Sequence, residues 1–277
     1  MKYREAWQKA AGLLQDNGLE EARLESEILL RHTLGISRVQ LHLELERELK
    51  PEKETVYFET LQRRLEGEPS AYITGEKEFY GRTFLVDKRV LIPRPETEHL
   101  IEKALQIARH YECPYIADIG TGSGVIAITL ALELKDAYVY AADISEDALE
   151  VARQNAEEYR LEKRLSFYQG DLLSSLPEMV DILAANLPYV PKAEAGLLNG
   201  EPRLALDGGK DGLDLYRRLI PILPARLRPG GTALLEIGIH QSELLAKYIK
   251  DTLPQASLEI ISDYAGIPRI VALTLPI

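Results

Sequence analysis

Four short segments of this 277-residue chain carry residue types that could do chemistry, and each stands where an apolar run ends. The first is Asp118-Ile119-Gly120-Thr121-Gly122-Ser123-Gly124, between the strand-like run 115–119 and the helical run 125–134. Strand, glycine turn and helix in that order leave N–H groups unpaired at a helix start, and the missing Cβ atoms let a ligand approach the main chain. Asp143 ends the next run, where a carboxylate could accept hydrogen bonds from both hydroxyls of a ribose. Gln169-Gly170-Asp171-Leu172 ends the third, where an acid could accept the exocyclic amine of adenine. A nucleotide-like ligand is expected. The plain alternative, turn glycines and exposed carboxylates with no ligand, is disfavoured because three strand ends agree. The position of Asp143 suits NAD equally well, but Gly120, Gly122 and Gly124 form G-x-G-x-G and not the G-x-G-x-x-G of dinucleotide sites.

Together these segments resemble the nucleoside site of class I S-adenosylmethionine-dependent methyltransferases. That resemblance implies S-adenosyl-L-methionine as cofactor, bound by Asp118, Gly120, Thr121, Gly122, Ser123, Gly124, Asp143, Asp171, Leu172 and Asn186. Asp118 has two readings: it orients the glycine loop, or it holds the cofactor's ammonium group through water. The fourth segment, Asn186-Leu187-Pro188-Tyr189, resembles the (Asn/Asp/Ser)-Pro-Pro-(Tyr/Phe/Trp) motif of enzymes that methylate planar nitrogens conjugated to a π system.

The residue types suit such an acceptor. An amide or aryl amine has a delocalised lone pair and is a poor nucleophile, so positioning must supply most of the rate. The Asn186 side-chain oxygen and a main-chain carbonyl of the turn can hold the two N–H bonds and aim the nitrogen, while Tyr189 offers a flat face for stacking. As the nitrogen gains positive charge, those oxygens stabilise it more than they did the neutral group. Asn186, Pro188 and Tyr189 are the candidate catalytic residues, and Asn186 to Tyr189 the candidate acceptor site. Leu187 departs from the motif: one fixed φ is lost, although a residue before Pro188 is still held extended.

These segments need a scaffold, and the pattern supplies one. Strands are expected near 115–119, 138–142, 165–168, 180–185, 231–237, 257–262 and 269–274, with helical patterns between most of them, which predicts a mostly parallel sheet covered on both faces. Ahead of it lie helices: Tyr3, Trp7, Ala10, Ala11 and Leu14 share one face, Leu24 and Ile28 continue in a second helix, and Phe58, Leu61 and Leu65 mark another that stops at Gly67. Between them, alternation around Gly81 and Asp87-Lys88 predicts a short hairpin. The expected organisation is a helical domain over 1–70, a hairpin linker over 71–93 and a catalytic domain over 94–277.

Composition leans against several classes. With 33 Lys plus Arg against 44 Asp plus Glu the net charge is −11, the wrong sign for a chain whose main partner is a nucleic-acid backbone. The single cysteine, Cys113, forbids an intramolecular disulfide, and no Cys/His spacing suggests a metal. Asp207, Asp211 and Glu236 fit no calcium loop, and Gly208, Gly209 and Gly212 read as a turn. The charged N-terminus and the absence of a long apolar run point to a cytoplasmic protein without membrane contact. Arg94 is expected to pair with Glu96 or Glu98 rather than with the cofactor's carboxylate, Trp7 to fill the small domain's core, and His240 to precede a helix.

A more specific likeness covers nearly the whole chain. Phe79-Tyr80-Gly81, Pro93-Arg94-Pro95-Glu96-Thr97-Glu98, DIGTGSG, NLPY, Glu201-Pro202-Arg203, Gly208-Gly209-Lys210-Asp211-Gly212-Leu213 and Leu235-Glu236-Ile237-Gly238 resemble the HemK/PrmC family of protein-(glutamine-N5) methyltransferases. The resemblance implies a class I methyltransferase fold, α/β and Rossmann-like, with a mostly parallel seven-stranded sheet, a small N-terminal helical domain and a linking β-hairpin. It also implies a protein substrate, the class I peptide chain release factors, methylated on the glutamine of their Gly-Gly-Gln motif, with the N-terminal helices docking on the factor and the enzyme acting as a monomer. Rival activities are glutamine methylation of a ribosomal protein and adenine N6 methylation of nucleic acid, the latter opposed by the absence of a Lys/Arg stripe. A cofactor-binding module without catalysis has no need of the Asn186–Tyr189 segment, and a dehydrogenase would need a second nucleotide half.

Overall fold

The computed structural model describes residues 1–196 and 200–277 and divides the chain into two compact units, Met1–Glu76 and Lys77–Ile277. The first unit holds α1 (Tyr3–Asp16), α2 (Ala22–Leu34), α3 (Arg38–Leu43), α4 (Pro51–Leu65) and α5 (Ser70–Thr74). Its core gathers Trp7, Leu14, Leu29, Leu30, Tyr57 and Leu61, with Trp7 where a core residue was expected. Its two large aromatic polar groups find partners: the Trp7 indole donates to the Arg23 carbonyl (3.0 Å) and the Tyr57 hydroxyl to the Ser26 carbonyl (3.0 Å).

One helical face differs from expectation. Leu24 is 40% exposed, while α2 turns Ala22, Ser26, Leu29, Leu30 and Thr33 inward together with the carboxylate of Glu27. Apolar spacing misplaced the stripe because a buried charge sits in it; Glu27 is neutralised by Arg38 at 2.9 Å.

The second unit opens within β1 (Glu76–Phe79), which pairs with β2 (Arg82–Leu85) in a two-stranded sheet. Then follow α6 (Glu98–Ala108), β3 (Tyr115–Ile119), α7 (Val125–Glu133), β4 (Tyr138–Asp143), α8 (Glu146–Glu158), β5 (Leu165–Gln169) and β6 (Val180–Ala185). The chain ends through α9 (Lys192–Ala195), α10 (Asp214–Leu219), β7 (Leu227–Glu236), α11 (Ser242–Thr252), β8 (Ser257–Ser262) and β9 (Pro268–Thr274). The hairpin is tied to α8 by the Asn155 carboxamide, which accepts from the Leu85 N–H (2.7 Å) and donates to the Leu85 carbonyl (3.0 Å).

The seven-stranded sheet has the order β5-β4-β3-β6-β7-β9-β8, parallel except where β9 runs against both neighbours. All six residues of β6 are buried, and one core cluster lies on each face of the sheet. Ile126, Ile128 and Leu130 of α7 belong to one, Tyr216, Leu219, Leu245 and Ile249 to the other. Burying a Leu or Ile side chain stabilises by roughly 1.5–3 kcal/mol, so these clusters hold the strand order firmly. The only carboxylate within β6, Asp181, accepts from the Tyr115 N–H (2.8 Å) and faces Arg228 at 2.9 Å.

What matters for function is where the strand order reverses. Chain order runs outward from β3 through β4 to β5, then returns to β6 on the other side of β3, so the carboxyl ends of β3 and β6 flank a crevice. Register brings Ile119 opposite Ala185 and Ala185 opposite Leu235. Gly120, Asn186 and Glu236, each one residue beyond, are thereby neighbours across three strands.

Candidate active site

A cavity of about 600 Å³ opens at those strand ends, within the range of small-molecule sites. Its walls include Gly120, Thr121, Gly122, Ser123, Asp143, Asp171, Leu172, Asn186, Leu187 and Pro188, so ten of the residues singled out from sequence converge on one space.

Asp118, Gly124 and Tyr189 lie outside that lining. Asp118 was counted among cofactor ligands, but it is fully buried beneath the loop, where Oδ2 accepts from the Thr121 hydroxyl (2.6 Å) and the Ala127 N–H (3.1 Å). Of its two readings, loop orientation is the one its contacts support. Burial pushes its carboxyl up to about 7, and Oδ1 has no partner. Gly124, with φ +84°, caps α7, and a Cβ there would meet Ile128 Cδ1 at 3.0 Å and Ala152 Cβ at 3.1 Å. It serves helix packing rather than the cavity wall.

Asp143 stands at the cavity with both oxygens engaged once: Oδ2 accepts from the Gly122 N–H and Oδ1 from the Ser145 N–H, each at 2.9 Å. Burial raises its pKa, and those N–H groups oppose the rise. Each oxygen keeps a second lone pair, so the carboxylate can still accept from a diol. Asp171 is an exposed partner of Arg218 at the rim. Leu172 beside it has φ +51°, a left-handed conformation costing about 1–2 kcal/mol for a residue with a Cβ, which marks a strained backbone at the site.

The Asn186–Tyr189 segment is held from behind. Asn186 Nδ2 donates to Thr97 Oγ1 (3.1 Å), which leaves its carbonyl oxygen for the cavity. The Leu187 side chain is buried, and its Cδ2 lies 3.0 Å from where a Cβ on Gly120 would stand, so glycine loop and acceptor segment touch. The Tyr189 hydroxyl donates to Glu236 Oε1 (3.3 Å) and its carbonyl accepts from Gln241 Nε2 (2.8 Å). Glu236 is 1% exposed, and burial lifts its carboxyl to about 7 against the opposing pull of the Thr97 and Tyr189 hydroxyls.

The turn 207–214 braces the same segment. A Cβ on Gly208 would stand 2.5 Å from the Pro188 carbonyl oxygen, and one on Gly212 2.0 Å from that of Tyr189. Arg217 beside Asp211 holds that carboxyl down at about 2. Arg94 does not pair with Glu96 or Glu98. It meets Glu201, whose Oε1 also accepts from the Ile92 N–H (2.9 Å), while Glu98 accepts from the Tyr80 N–H (2.8 Å). The segment 92–94 thus needs a carboxylate distant in sequence to close one wall of the cavity.

Gln241 escaped sequence reasoning, Thr97 stood in a family motif without a role of its own, and Glu236 stood in another and was otherwise read as a poor cation ligand. A lone acid inside the apolar run of β7 was the available signal, but its meaning depends on the β6–β7 register.

Comparison with known proteins agrees with this arrangement. Residues 5–75 match the PrmC N-terminal domain, and residues 114–247 match a methyltransferase domain. A release factor glutamine methyltransferase from Bacillus anthracis is 41% identical over 282 residues, covering 98% of each chain. The chain belongs to the release factor glutamine methyltransferase family. A second relative of that name, from Moorella thermoacetica, is 42% identical over 274 residues and covers 97% of each chain. Among solved structures, a methyltransferase from Pyrococcus furiosus is 16% identical with a TM-score of 0.53, covering 73% of this chain and 92% of its own, a likeness of fold. The catalytic domain of hMettl16 in complex with an RNA hairpin, 18% identical with a TM-score of 0.59 over 75% of this chain and 82% of that one, is likewise a likeness of fold alone. The chain is thus a methyltransferase built on a seven-stranded Rossmann-like sheet, as expected from its sequence. Among the described residues no helix is long and apolar enough to cross a membrane.

Proposed function

We propose that this chain transfers a methyl group from S-adenosylmethionine to the side-chain amide nitrogen (N5) of the glutamine in the Gly-Gly-Gln motif of class I peptide chain release factors. The observation that carries the reading is the Asn186 carboxamide: its NH2 is committed to Thr97, and its acceptor oxygen is left for a substrate N–H beside the glycine loop. The cavity fits the cofactor, since Asp143 keeps accepting capacity for a ribose and Gly122 adds no Cβ to the wall. When bound, S-adenosylmethionine supplies an electrophilic methyl carbon on a sulfonium.

This chain's own residues then do the positioning. Asn186 Oδ1 accepts one N–H of the substrate carboxamide, and a main-chain carbonyl accepts the other. Gln241 already occupies the Tyr189 carbonyl, which favours Leu187 or Pro188 for that role. With both N–H bonds held, the nitrogen lone pair has one direction, and the two oxygens stabilise the charge it acquires. One of the two N–H protons leaves after the nitrogen–carbon bond has formed and the carbon–sulfur bond has broken, so the amide ends neutral. Tyr189, just outside the cavity lining, is fixed at both its hydroxyl and its carbonyl and anchors the end of the acceptor segment. Residues 1–70 serve as the domain that recognises the release factor, the protein acts as a cytoplasmic monomer, and it makes no direct nucleic-acid contact.

The test is incubation of the purified protein with release factor and isotope-labelled S-adenosylmethionine, then mass spectrometry of the Gly-Gly-Gln peptide. Label on the glutamine amide is expected. An unlabelled peptide, or label on a ribosomal protein or an adenine instead, refutes the reading.

A further inference from the structure

Besides the glycine loop and the ends of β4 and β5, three stretches of chain wall the cavity, drawn from 88–97, 186–188 and 202–207. Each is joined to the next. Asn186 Nδ2 donates to Thr97 Oγ1 (3.1 Å). Past Pro188, the Val190 N–H donates to the Leu206 carbonyl (3.0 Å), and the Val190 carbonyl accepts from the Gly208 N–H (2.9 Å). The third joint is Glu201, which accepts from the Ile92 N–H through Oε1 (2.9 Å) and meets the Arg94 guanidinium through Oε2. The three joints close a hydrogen-bonded ring of chain, and every arc of that ring contributes to the cavity wall.

The joints differ in what makes them. At Val190 only main-chain atoms are engaged, so the contact survives most changes of side chain. At Thr97 two neutral groups meet. At Glu201 the joint is one carboxylate, 12% exposed, and a charge withdrawn that far from water depends on its two donors. Residues 202–205 lean on it, because among the described residues their own hydrogen bonds stay within 202–207. The Ala205 N–H donates to the Pro202 carbonyl (2.9 Å), and the Arg203 carbonyl accepts from the Leu206 (3.1 Å) and Asp207 (3.0 Å) N–H groups. Arg203 pairs with Asp207 at 3.5 Å. This turn is closed on itself, tied to the acceptor segment at Val190 and to the 92–94 wall at Glu201.

We propose that Glu201 is a positioning residue of the cofactor site: by engaging Ile92 and Arg94 it holds residues 202–205 against the cavity as a wall and so slows the escape of the bound cofactor. The proposal rests on the function proposed above for the nature of that cofactor. Removing the carboxylate frees an N–H and a guanidinium at once, and a wall held at one end yields more readily to a departing ligand.

Parent, Glu201→Ala, Glu201→Gln and Glu259→Ala are compared in two measurements. In the cofactor-free protein, hydrogen exchange at the Ile92 amide should quicken by about tenfold or more in the alanine variant, which leaves that N–H without an acceptor, and stay near the parental rate in the glutamine variant, whose carboxamide oxygen still takes it. Labelled S-adenosylmethionine, chased from the protein by excess unlabelled cofactor, should leave Glu201→Ala about tenfold faster than the parent. Glu201→Gln should release it at a rate in between, because glutamine keeps Ile92 but not the charge that faces Arg94. Glu259→Ala breaks an ion pair with Lys103 (2.8 Å) in the same unit, outside the cavity lining, and should release at the parental rate. An alanine variant that releases cofactor at the parental rate, or one whose Ile92 amide stays protected, overturns the proposal, as does equally fast release from Glu259→Ala. A parent that binds no S-adenosylmethionine overturns it together with the function. A parent that binds the cofactor but leaves the release factor unlabelled sinks the function alone, and the release rates then still decide the role of Glu201.

Discussion

Gly212→Ala tests the bracing of the acceptor segment by the turn behind it. Gly212 has φ +80°, and a Cβ there would stand 2.0 Å from the Tyr189 carbonyl oxygen and 2.3 Å from Gln241 Nε2. The left-handed backbone costs about 1–2 kcal/mol once a Cβ is present. Relieving the clash must separate Gln241 Nε2 from the Tyr189 carbonyl (2.8 Å) and strain its contact with the Asp211 carbonyl (3.1 Å), at about 1 kcal/mol each. Residual overpacking adds about 1–3 kcal/mol. The sum is about 4–7 kcal/mol, or a fall in Tm on the order of 10–20 °C for a unit of this size. Gly266 supplies the control. Its φ is +79° and nothing lies within 4 Å of its would-be Cβ, so Gly266→Ala carries only the backbone cost of about 1–2 kcal/mol. Thermal unfolding of both variants by circular dichroism isolates the steric part, and methyl transfer by Gly212→Ala should fall further than cofactor binding. Equal Tm values for the two variants would refute the reasoning, because the conformation is shared and only the surroundings differ.

Asn186→Ala should lower kcat by about 10²–10³, the usual effect of deleting one group that stabilises developing charge, with cofactor affinity measured by calorimetry largely kept; a parental rate would remove Asn186 from the mechanism. Asp143→Ala should weaken cofactor binding by about tenfold or more, since it deletes the diol acceptor and frees the Gly122 and Ser145 N–H groups it now fixes; unchanged binding would place the ribose elsewhere. Stability should fall as pH rises from about 5 to 8. Asp118 and Glu236 titrate near 7 when folded, against ordinary values of 3.8 and 4.5, so the native state holds protons that the unfolded chain has lost. Stability from that source is complete below the unfolded values and disappears as pH passes about 7, a difference on the order of a few kcal/mol. A urea midpoint higher at pH 8 than at pH 5.5 would contradict it.

The kind of fold and the groups at its working edge were legible in the chain alone. Apolar runs broken by glycine turns are local signals, so strands such as Tyr115–Ile119 and Val180–Ala185, and the glycine loop after the first, were legible residue by residue. The likeness of NLPY to a known acceptor motif was equally local. Tertiary structure decided the rest, because it turns on contacts between residues far apart in the chain. The inward face of α2 was hidden by Glu27, whose burial becomes tolerable only once Arg38 folds against it. Arg94 found Glu201 in place of its sequence neighbours. Asp118 left the cavity wall because the loop closes over it. The contact of Tyr189 with Glu236 exists only because β6 and β7 pair in one register; a shift of one residue would turn Glu236 to the opposite face of the sheet. Chemistry-bearing residues are written in the chain, but the partners that hold them, Thr97 for Asn186 and Glu236 for Tyr189, are chosen by the fold.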